Sequence, residues 1–539
     1  MDSDYETRLD AYSRDMAAQI EADEHVDVEA LKKTLAKKYK VRMIKSAAVI
    51  ARLSPALKTD LVMSRLRTRL TRTGSGVTPI ALMPKPFVCP GKCTYCPTAK
   101  KEEGWPDGPK RSVLFAPKAY TGFEPATRRA IQNEYDAKRQ IDTRISQYEA
   151  LGQPTQKCEL IVMGGTFLSV PLDYQHKFIQ ECFEALNGNG APSLEAAQKE
   201  NETAEHRMIG MTIETRPDWC KKVHIDRMLK WGATRVELGV QSLDDEVLEK
   251  VKRGHGQKEA IRATRELKDC AFKVGYHFMP GLYSSREKDV LMLKQIFSDA
   301  NYKPDMLKIY PCLVMPGTPL FEEYKAGRFE PIDSEEAVLR VVEATKYFPP
   351  WVRVMRMQRD IPANLIAAGV KAGNLHQMVL NELKRRGEKC MCIRCREVFS
   401  TTRLGEKSKA LKFEMVERSY EASGGFEHFL SFEDSGEDLL AGFIRLRLGG
   451  KSHREEISGS TALIRELHVY GQELSIGLKE ASGTKVQHSG MGKKLLARAE
   501  QIANEGGRDK LAIISGVGAR EYYRKLGYSL EGPYMCKKL

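Results

Sequence analysis

Among the 539 residues, no uncharged apolar stretch reaches the ~18 residues that a membrane-spanning helix needs. The chain begins MDSDYETRLDAYSRD, which is acidic and has no apolar core, unlike a secretory leader. A cytoplasmic protein with no membrane partner is therefore the expectation. Internal repeats are missing as well. Hydrophobic residues make up 42% and charged residues 29%, which excludes disorder as the dominant state. The length is too great for one core and suggests about three or four domains.

Twelve cysteines are present, but a disulfide scaffold does not fit so long a chain without a leader. Six fall in two tight groups, Cys89/Cys93/Cys96 and Cys390/Cys392/Cys395, a pattern that points to metal. The others, Cys158, Cys182, Cys220, Cys270, Cys312 and Cys536, are scattered and read as small buried apolar residues. The net charge of +14 is unevenly placed. Residues 1–30 carry ten acids and two bases, whereas 31–72 carry thirteen bases and one acid, Asp60. A block that basic is a candidate nucleic-acid surface; the alternative is a solvated helical face.

Residues 1–75 read as a small helical, basic N-terminal region. From about 80 to 312, short apolar runs alternate with amphipathic stretches. The runs are PIALM, ELIVMGG, MIGMTIET, TRVELGVQ, KVGYHFMPG and MLKIYPC. Strand–helix alternation predicts a parallel α/β sheet, either doubly wound or a partial (β/α)6 barrel, over 76–330. Ligands of such sheets lie at the carboxyl ends of the strands. This singles out Gly164, Gly165 and Thr166, then Glu214 and Arg216, then Gln241 and Ser242. Residues 331–400 read as a linker with its own cysteines and 401–539 as a second α/β domain. The tract NGNGAPSLEAAQKENETAEH (187–206) reads as a mobile surface insertion.

Cys89, Cys93 and Cys96 form CxxxCxxC directly after the first strand, with Tyr95 before the last thiol. Three thiolates on one loop can ligate three irons of a [4Fe–4S] cube and leave the fourth open to a chelating ligand. A structural zinc site would want a fourth ligand, and none lies nearby in sequence. This motif in a partial barrel resembles the radical S-adenosylmethionine enzymes. The resemblance implies that the open iron holds S-adenosylmethionine and that an electron donor reduces the cluster. It places Gly164, Gly165, Glu214, Arg216, Gln241 and Ser242 as contacts of that molecule. The family's Gly-Gly-Glu is Gly164-Gly165-Thr166 here.

Gln487-His488-Ser489-Gly490-Met491-Gly492 stands between a strand, ALIRELHVY, and a helix, KKLLARAEQIANE. Glycines let backbone amides approach an anion at a helix start, as a pyrophosphate requires. The order of elements resembles the GNAT acetyltransferases, whose cofactor is acetyl-CoA and whose last helix carries a tyrosine near the thioester. Tyr522 and Tyr523 are the candidates; they diverge by about 100° on a helix, and Tyr523 is preferred.

Together the halves resemble one family, the catalytic subunit of Elongator and its standalone bacterial and archaeal relatives. The carriers include AYTGFEPATRRA, KCELIVMGGTFLS, RVELGVQSLDDEVL, LKIYPCLVMPGT, IRELHVYG and SGVGAREYYRKLGYSLEGPYM. The resemblance implies formation of 5-carboxymethyluridine at the wobble position of a tRNA anticodon stem-loop. Its two added carbons come from acetyl-CoA, and a standalone member needs no protein partner. It further implies acetyl-CoA contacts at Glu466, Leu467, His468, Val469, Gln487, Gly490, Met491, Gly492 and Tyr523, with Lys157 reaching acetyl-CoA from the radical domain. Cys390, Cys392 and Cys395 read as a zinc site, with Cys312 as fourth ligand and His376 as the alternative. Rival readings are a protein lysine acetyltransferase with a merely structural cluster and a tRNA-binding scaffold.

Overall fold

The computed structural model describes residues 3–66, 76–101, 113–398, 411–470 and 490–539. The N-terminal helices Ser3–Ala22, Val28–Lys38, Ser46–Arg52 and Asp60–Leu66 bury Tyr12, Met16, Ile20, Leu31, Leu35 and Val49 against one another. Asp27 caps the second helix by accepting from the Glu29 and Ala30 amides. The acidic first helix lies on the basic ones and takes up part of their charge. Asp15 pairs with Lys38 at 2.6 Å, Glu6 with Arg52, and Lys32 is buried beside Glu29.

Seven parallel strands follow in one sheet: β1 Thr78–Leu82, β2 Lys157–Val162, β3 Arg207–Thr215, β4 Arg235–Gln241, β5 Lys273–Phe278, β6 Met306–Ile309 and β7 Arg353–Arg356. Each strand pairs with its sequence neighbour. The sheet curls into a partial barrel with helices outside. All six expected strands are present, and β7 extends the sheet into the region read as a linker. Successive side chains point to opposite faces of a strand. Leu160 and Val162, Val236 and Leu238, Val274 and Tyr276, and Leu307 and Ile309 pack outward in the main apolar core. Their neighbours Glu159, Arg235, Glu237, Lys273, His277 and Lys308 point inward and line a cavity.

The tract at 187–206 is folded rather than mobile. Ser193 caps a helix, Leu194–Asn201, whose Leu194 and Ala197 are buried. Apolar residues at helical spacing among the polar ones supply the anchor.

The second sheet contains β8 Glu414–Ala422, β9 Gly425–Asp434, β10 Leu439–Gly449, β11 Thr461–Val469, β12 Lys510–Ile514, β13 Ser529–Glu531 and β14 Tyr534–Lys538, in the order β8-β9-β10-β11-β12-β14-β13. The β11–β12 pair is parallel and its pairing ends at Ile464 with Ile513. Beyond that point β11 continues to Val469, still paired with β10. The two middle strands therefore splay apart, leaving a backbone edge along Glu466–Val469.

Barrel and second sheet share one apolar core, with Phe429, Phe443, Leu463 and Ile514 joining the barrel residues. A buried ion network crosses the boundary. Arg465 donates to Asp305 at 2.6 and 2.7 Å and to Glu427 at 2.8 Å, and all three are at most 1% exposed. Arg447 joins Asp269 to Glu427 in the same way. Trp351 stacks on Tyr420 with ring centres 4.3 Å apart. No helix among the described residues is long and apolar enough to cross a membrane.

Candidate functional site

A single cavity of about 1610 Å³ runs from the carboxyl ends of the barrel strands to the splayed strands of the second sheet. At its first end the loop after β1 carries Cys89, Cys93 and Cys96, all lining the cavity. The loop is pinned by two backbone bonds at Thr94, to Val251 and Leu320. Arg253, buried, donates to Cys93 Sγ at 3.4 Å and to the Gly239 carbonyl at 2.5 Å. Arg216 is clamped by Asp218 at 2.8 and 2.9 Å, and its Nη1 is buried without a hydrogen-bond partner. Gly91 and Gly254 make room for it: a Cβ at Gly91 would lie 2.0 Å from Nη1 and one at Gly254 2.6 Å from Nη2. The Cys93 thiol is pulled down to about 4, first by its hydrogen bond with Cys96 and then, against burial, by Arg253. Three cysteines converging on one cavity mouth with cationic walls fit a [4Fe–4S] cluster, whose sulfur ligands must be deprotonated.

Gly165 lines the same mouth, and the turn at Gly164 and Gly165 has φ of +117° and +72°, which disfavours any side chain. Thr166 approaches Cys89 Sγ to 3.8 Å. Gln241 has φ +72° and a buried, unpartnered Oε1 in the cavity, a strained setting of the kind found at binding sites. Ser242 is turned away: its hydroxyl faces Met292 Sδ and accepts from the Asp244 amide, so it does not line the cavity. Glu214 does, with Tyr120 and Lys308 donating to it at 3.3 and 3.1 Å.

The waist of the cavity holds groups that the sequence reading passed over. Lys308 bridges Glu214 and Glu237; His277 bonds Glu237 at 2.8 Å, and Arg235 holds Glu159 at 2.7 Å. Burial works against the charge on Lys308, but Glu237, Tyr310 and Glu214 outweigh it and keep the ammonium protonated. The signal for these residues was the period-2 polar stripe inside strands that look simply apolar.

At the far end lie Lys157 and Arg207, paired across the starts of β2 and β3. Facing them from the second sheet are Glu466, Leu467, His468, Val469, Gly490, Gly492, Tyr522 and Tyr523. Arg445 fixes Glu466 at 2.8 Å. His468 has a buried Nε2 without a partner, and burial keeps the ring neutral. Gly490, with φ +72°, opens the helix Met491–Glu505. Met491 packs on the apolar core of the second sheet instead of lining the cavity. A Cβ at Gly492 would lie 3.2 Å from the Tyr522 hydroxyl, which therefore reaches over this helix start. Tyr523 is 7% exposed and packs against Tyr528. Gln487, His488 and Ser489 lie outside the described residues.

Cys390, Cys392 and Cys395 bring their sulfurs within 4.8 Å of one another, as a single ion requires. Cys312 is not with them. Three residues past the end of β6, it is buried with Tyr95, Met279 and Val314 beneath the first cysteine loop. His376, the alternative, lies near Cys392 but is not among the groups within 4.8 Å of all three sulfurs. Its Nε2 is buried and unpartnered, and burial and Arg394 hold the imidazole neutral against the nearby Cys392 thiolate.

Residues 83–295 match the model of the radical SAM superfamily, and 304–385 match the radical SAM C-terminal domain. A tRNA uridine(34) acetyltransferase of Methanocaldococcus jannaschii is 49% identical over 88% of this chain and 86% of its own length. One from Dehalococcoides mccartyi is 47% identical over 87% of this chain and 99% of its own. The chain belongs to the family of tRNA uridine(34) acetyltransferases and Elongator complex protein 3. Human Elongator complex protein 3 is 39% identical over 96% of the chain and 95% of its own length. The solved structure of the archaeal Methanocaldococcus infernus Elp3, with residues 1–46 deleted, matches at a TM-score of 0.74 and 44% identity, covering 86% of this chain and all of that one. As a member of the Elongator protein 3 family with a radical SAM domain, the chain is an enzyme of the acyltransferase class that works with a [4Fe–4S] cluster and S-adenosylmethionine.

Proposed function

We propose that this enzyme forms 5-carboxymethyluridine at the wobble position of tRNA, drawing the added carbons from acetyl-CoA. The observation that carries the reading is the continuous cavity from the cysteine loop to Tyr522 and Tyr523. A lysine acetyltransferase with a structural cluster would have no use for a passage between the two ends.

Cys89, Cys93 and Cys96 would hold the cluster, with Arg253 and Arg216 balancing its charge. The cluster and S-adenosylmethionine together supply a carbon radical able to take a hydrogen atom from the acetyl methyl group. The turn at Gly164–Gly165, Glu214 and Gln241 offer polar backbone and side-chain contacts for S-adenosylmethionine. The splayed stretch Glu466–Val469 fits the amides of pantetheine, and the amides at Gly490–Gly492 fit its pyrophosphate. Lys157 and Arg207 meet the acyl end where it enters the barrel. Two waist carboxylates bridged by Lys308 form a fixed, desolvated polar wall for an inserted base. His468, neutral and with Nε2 free, takes the proton of the water that hydrolyses the thioester. Cys390, Cys392 and Cys395 would hold one zinc ion, with His376 the nearby candidate to complete the set, and would tie the segment after β7 to the second sheet.

The test is nucleoside analysis of tRNA incubated with reduced protein, S-adenosylmethionine and acetyl-CoA. The modified uridine should appear only with all three present. Its formation without S-adenosylmethionine would overturn the reading.

A further inference from the structure

The helix that carries Tyr522 and Tyr523 spans only Arg520–Arg524. Five residues are too few to hold a helix by their own hydrogen bonds, so its placement must come from tertiary contacts. Some of them come from its own domain, where Tyr523 packs on Tyr528, and the rest from the barrel. Arg520 and Arg524 stand four residues apart, on one face, and both reach Glu202. Arg524 donates to the Glu202 carboxylate at 2.7 and 3.1 Å, and Arg520 donates at 3.3 Å. Glu202 is 2% exposed and closes the helix Leu194–Asn201. The preceding turn is pressed onto β3: a Cβ at Gly516 would lie 2.1 Å from the Ile209 carbonyl oxygen, and one at Gly518 2.4 Å from Arg207 Cβ. The two tyrosines occupy the positions between the arginines and line the cavity.

We propose that Glu202 is a positioning residue for the acetyl-transfer site, setting Tyr522 and Tyr523 against the mouth of the barrel. Tyr523 packs in the core of its own domain, and the barrel adds a second anchor through one buried carboxylate and two arginines. The thioester is therefore aligned only where its acyl group can pass toward the radical site. This rests on the reading of residues 490–492 and 522–523 as the acetyl-CoA site.

The experiment uses the full-length protein and the variants Glu202→Gln, Glu202→Ala and Glu202→Asp. Tyrosine nitration by tetranitromethane, read by peptide mass spectrometry, follows Tyr523 against Tyr528, which is 3% exposed in the same domain core. Nitration of Tyr523 should rise at least about threefold in the Gln and Ala variants while Tyr528 stays protected, a local opening and not unfolding. In parallel, kcat for tRNA-stimulated acetyl-CoA hydrolysis should fall about tenfold or more with KM changed less than about threefold, and Glu202→Asp should recover part of it. Unchanged Tyr523 reactivity and unchanged kcat in both variants would overturn the proposal, as would equal nitration of Tyr523 and Tyr528. If the parent protein neither binds nor hydrolyses acetyl-CoA, the functional reading fails instead, and the nitration arm still decides the role of Glu202.

Discussion

Neutralising the exposed cations of the N-terminal helices should weaken tRNA binding in a way the structure makes selective. Lys33, Lys37, Lys40 and Arg42 are exposed, and none has a carboxylate partner among the described residues. Lys32 is buried beside Glu29, and Lys38, though exposed, is paired with Asp15, so both charges are offset by a carboxylate. Each phosphate contact changes log K by roughly 0.7–0.9 per decade of salt, which at about 0.15 M amounts to ~0.6–0.7 decades of affinity per contact. If two of the four cations meet phosphates, replacing all four with Gln should weaken binding about 15- to 30-fold and flatten the salt slope by about 1.5. Replacing Lys32 and Lys38 should change affinity by less than about threefold, because each already faces a carboxylate, Glu29 or Asp15, that offsets its charge toward a phosphate. Filter binding of labelled tRNA across a salt series measures both quantities. Equal losses in the two variants, or none in the first, would refute the argument and move the RNA surface elsewhere.

Asp305→Asn should destabilise the protein by about 3–5 kcal/mol, the typical result of stripping one partner from a buried ion network, as read by chemical denaturation. Burial pushes the Asp305 carboxyl up, but Arg465, Lys268 and Arg445 outweigh it and hold the group well below its ordinary value. The network's stabilisation is thus complete above the unfolded pKa of about 3.9 and is lost only as pH falls toward the folded value, so the two domains should still melt together at pH 5. Metal analysis should find about one zinc per chain, released in Cys392→Ser and weakened in His376→Ala, with Cys312→Ser unaffected. His468→Gln should leave acetyl-CoA affinity within about threefold while slowing its hydrolysis at least about a hundredfold, measured by thiol release.

Much of this fold was legible in the sequence because its signals are local. CxxxCxxC, the glycines before KKLLARAEQIANE and the six apolar runs each report their own surroundings. Three things were not. The inward stripe of Glu159, Arg235, Glu237, Lys273, His277 and Lys308 becomes visible only when strands are placed side by side, because its ion pairs, Glu159 with Arg235 and Glu237 with His277 and Lys308, run between strands. Glu202 looked like one more solvated acid in a polar tract; its partners are more than 300 positions away, at Arg520 and Arg524. Cys312 was expected at the zinc site because it follows the last expected barrel strand, yet it is buried beneath the first cysteine loop. Spacing along the chain identifies ligands on one loop but not a ligand brought in by topology.

The central claim is that radical chemistry at one end of the cavity and acetyl-CoA chemistry at the other act on the same carbon. It is tested most directly by supplying acetyl-CoA labelled with deuterium on the methyl and carbon-13 in both acetyl positions, together with tRNA, S-adenosylmethionine and the reduced protein. The account predicts 5-carboxymethyluridine carrying both labelled carbons and 5′-deoxyadenosine carrying one deuterium. Labelled nucleoside with deuterium-free 5′-deoxyadenosine would contradict it.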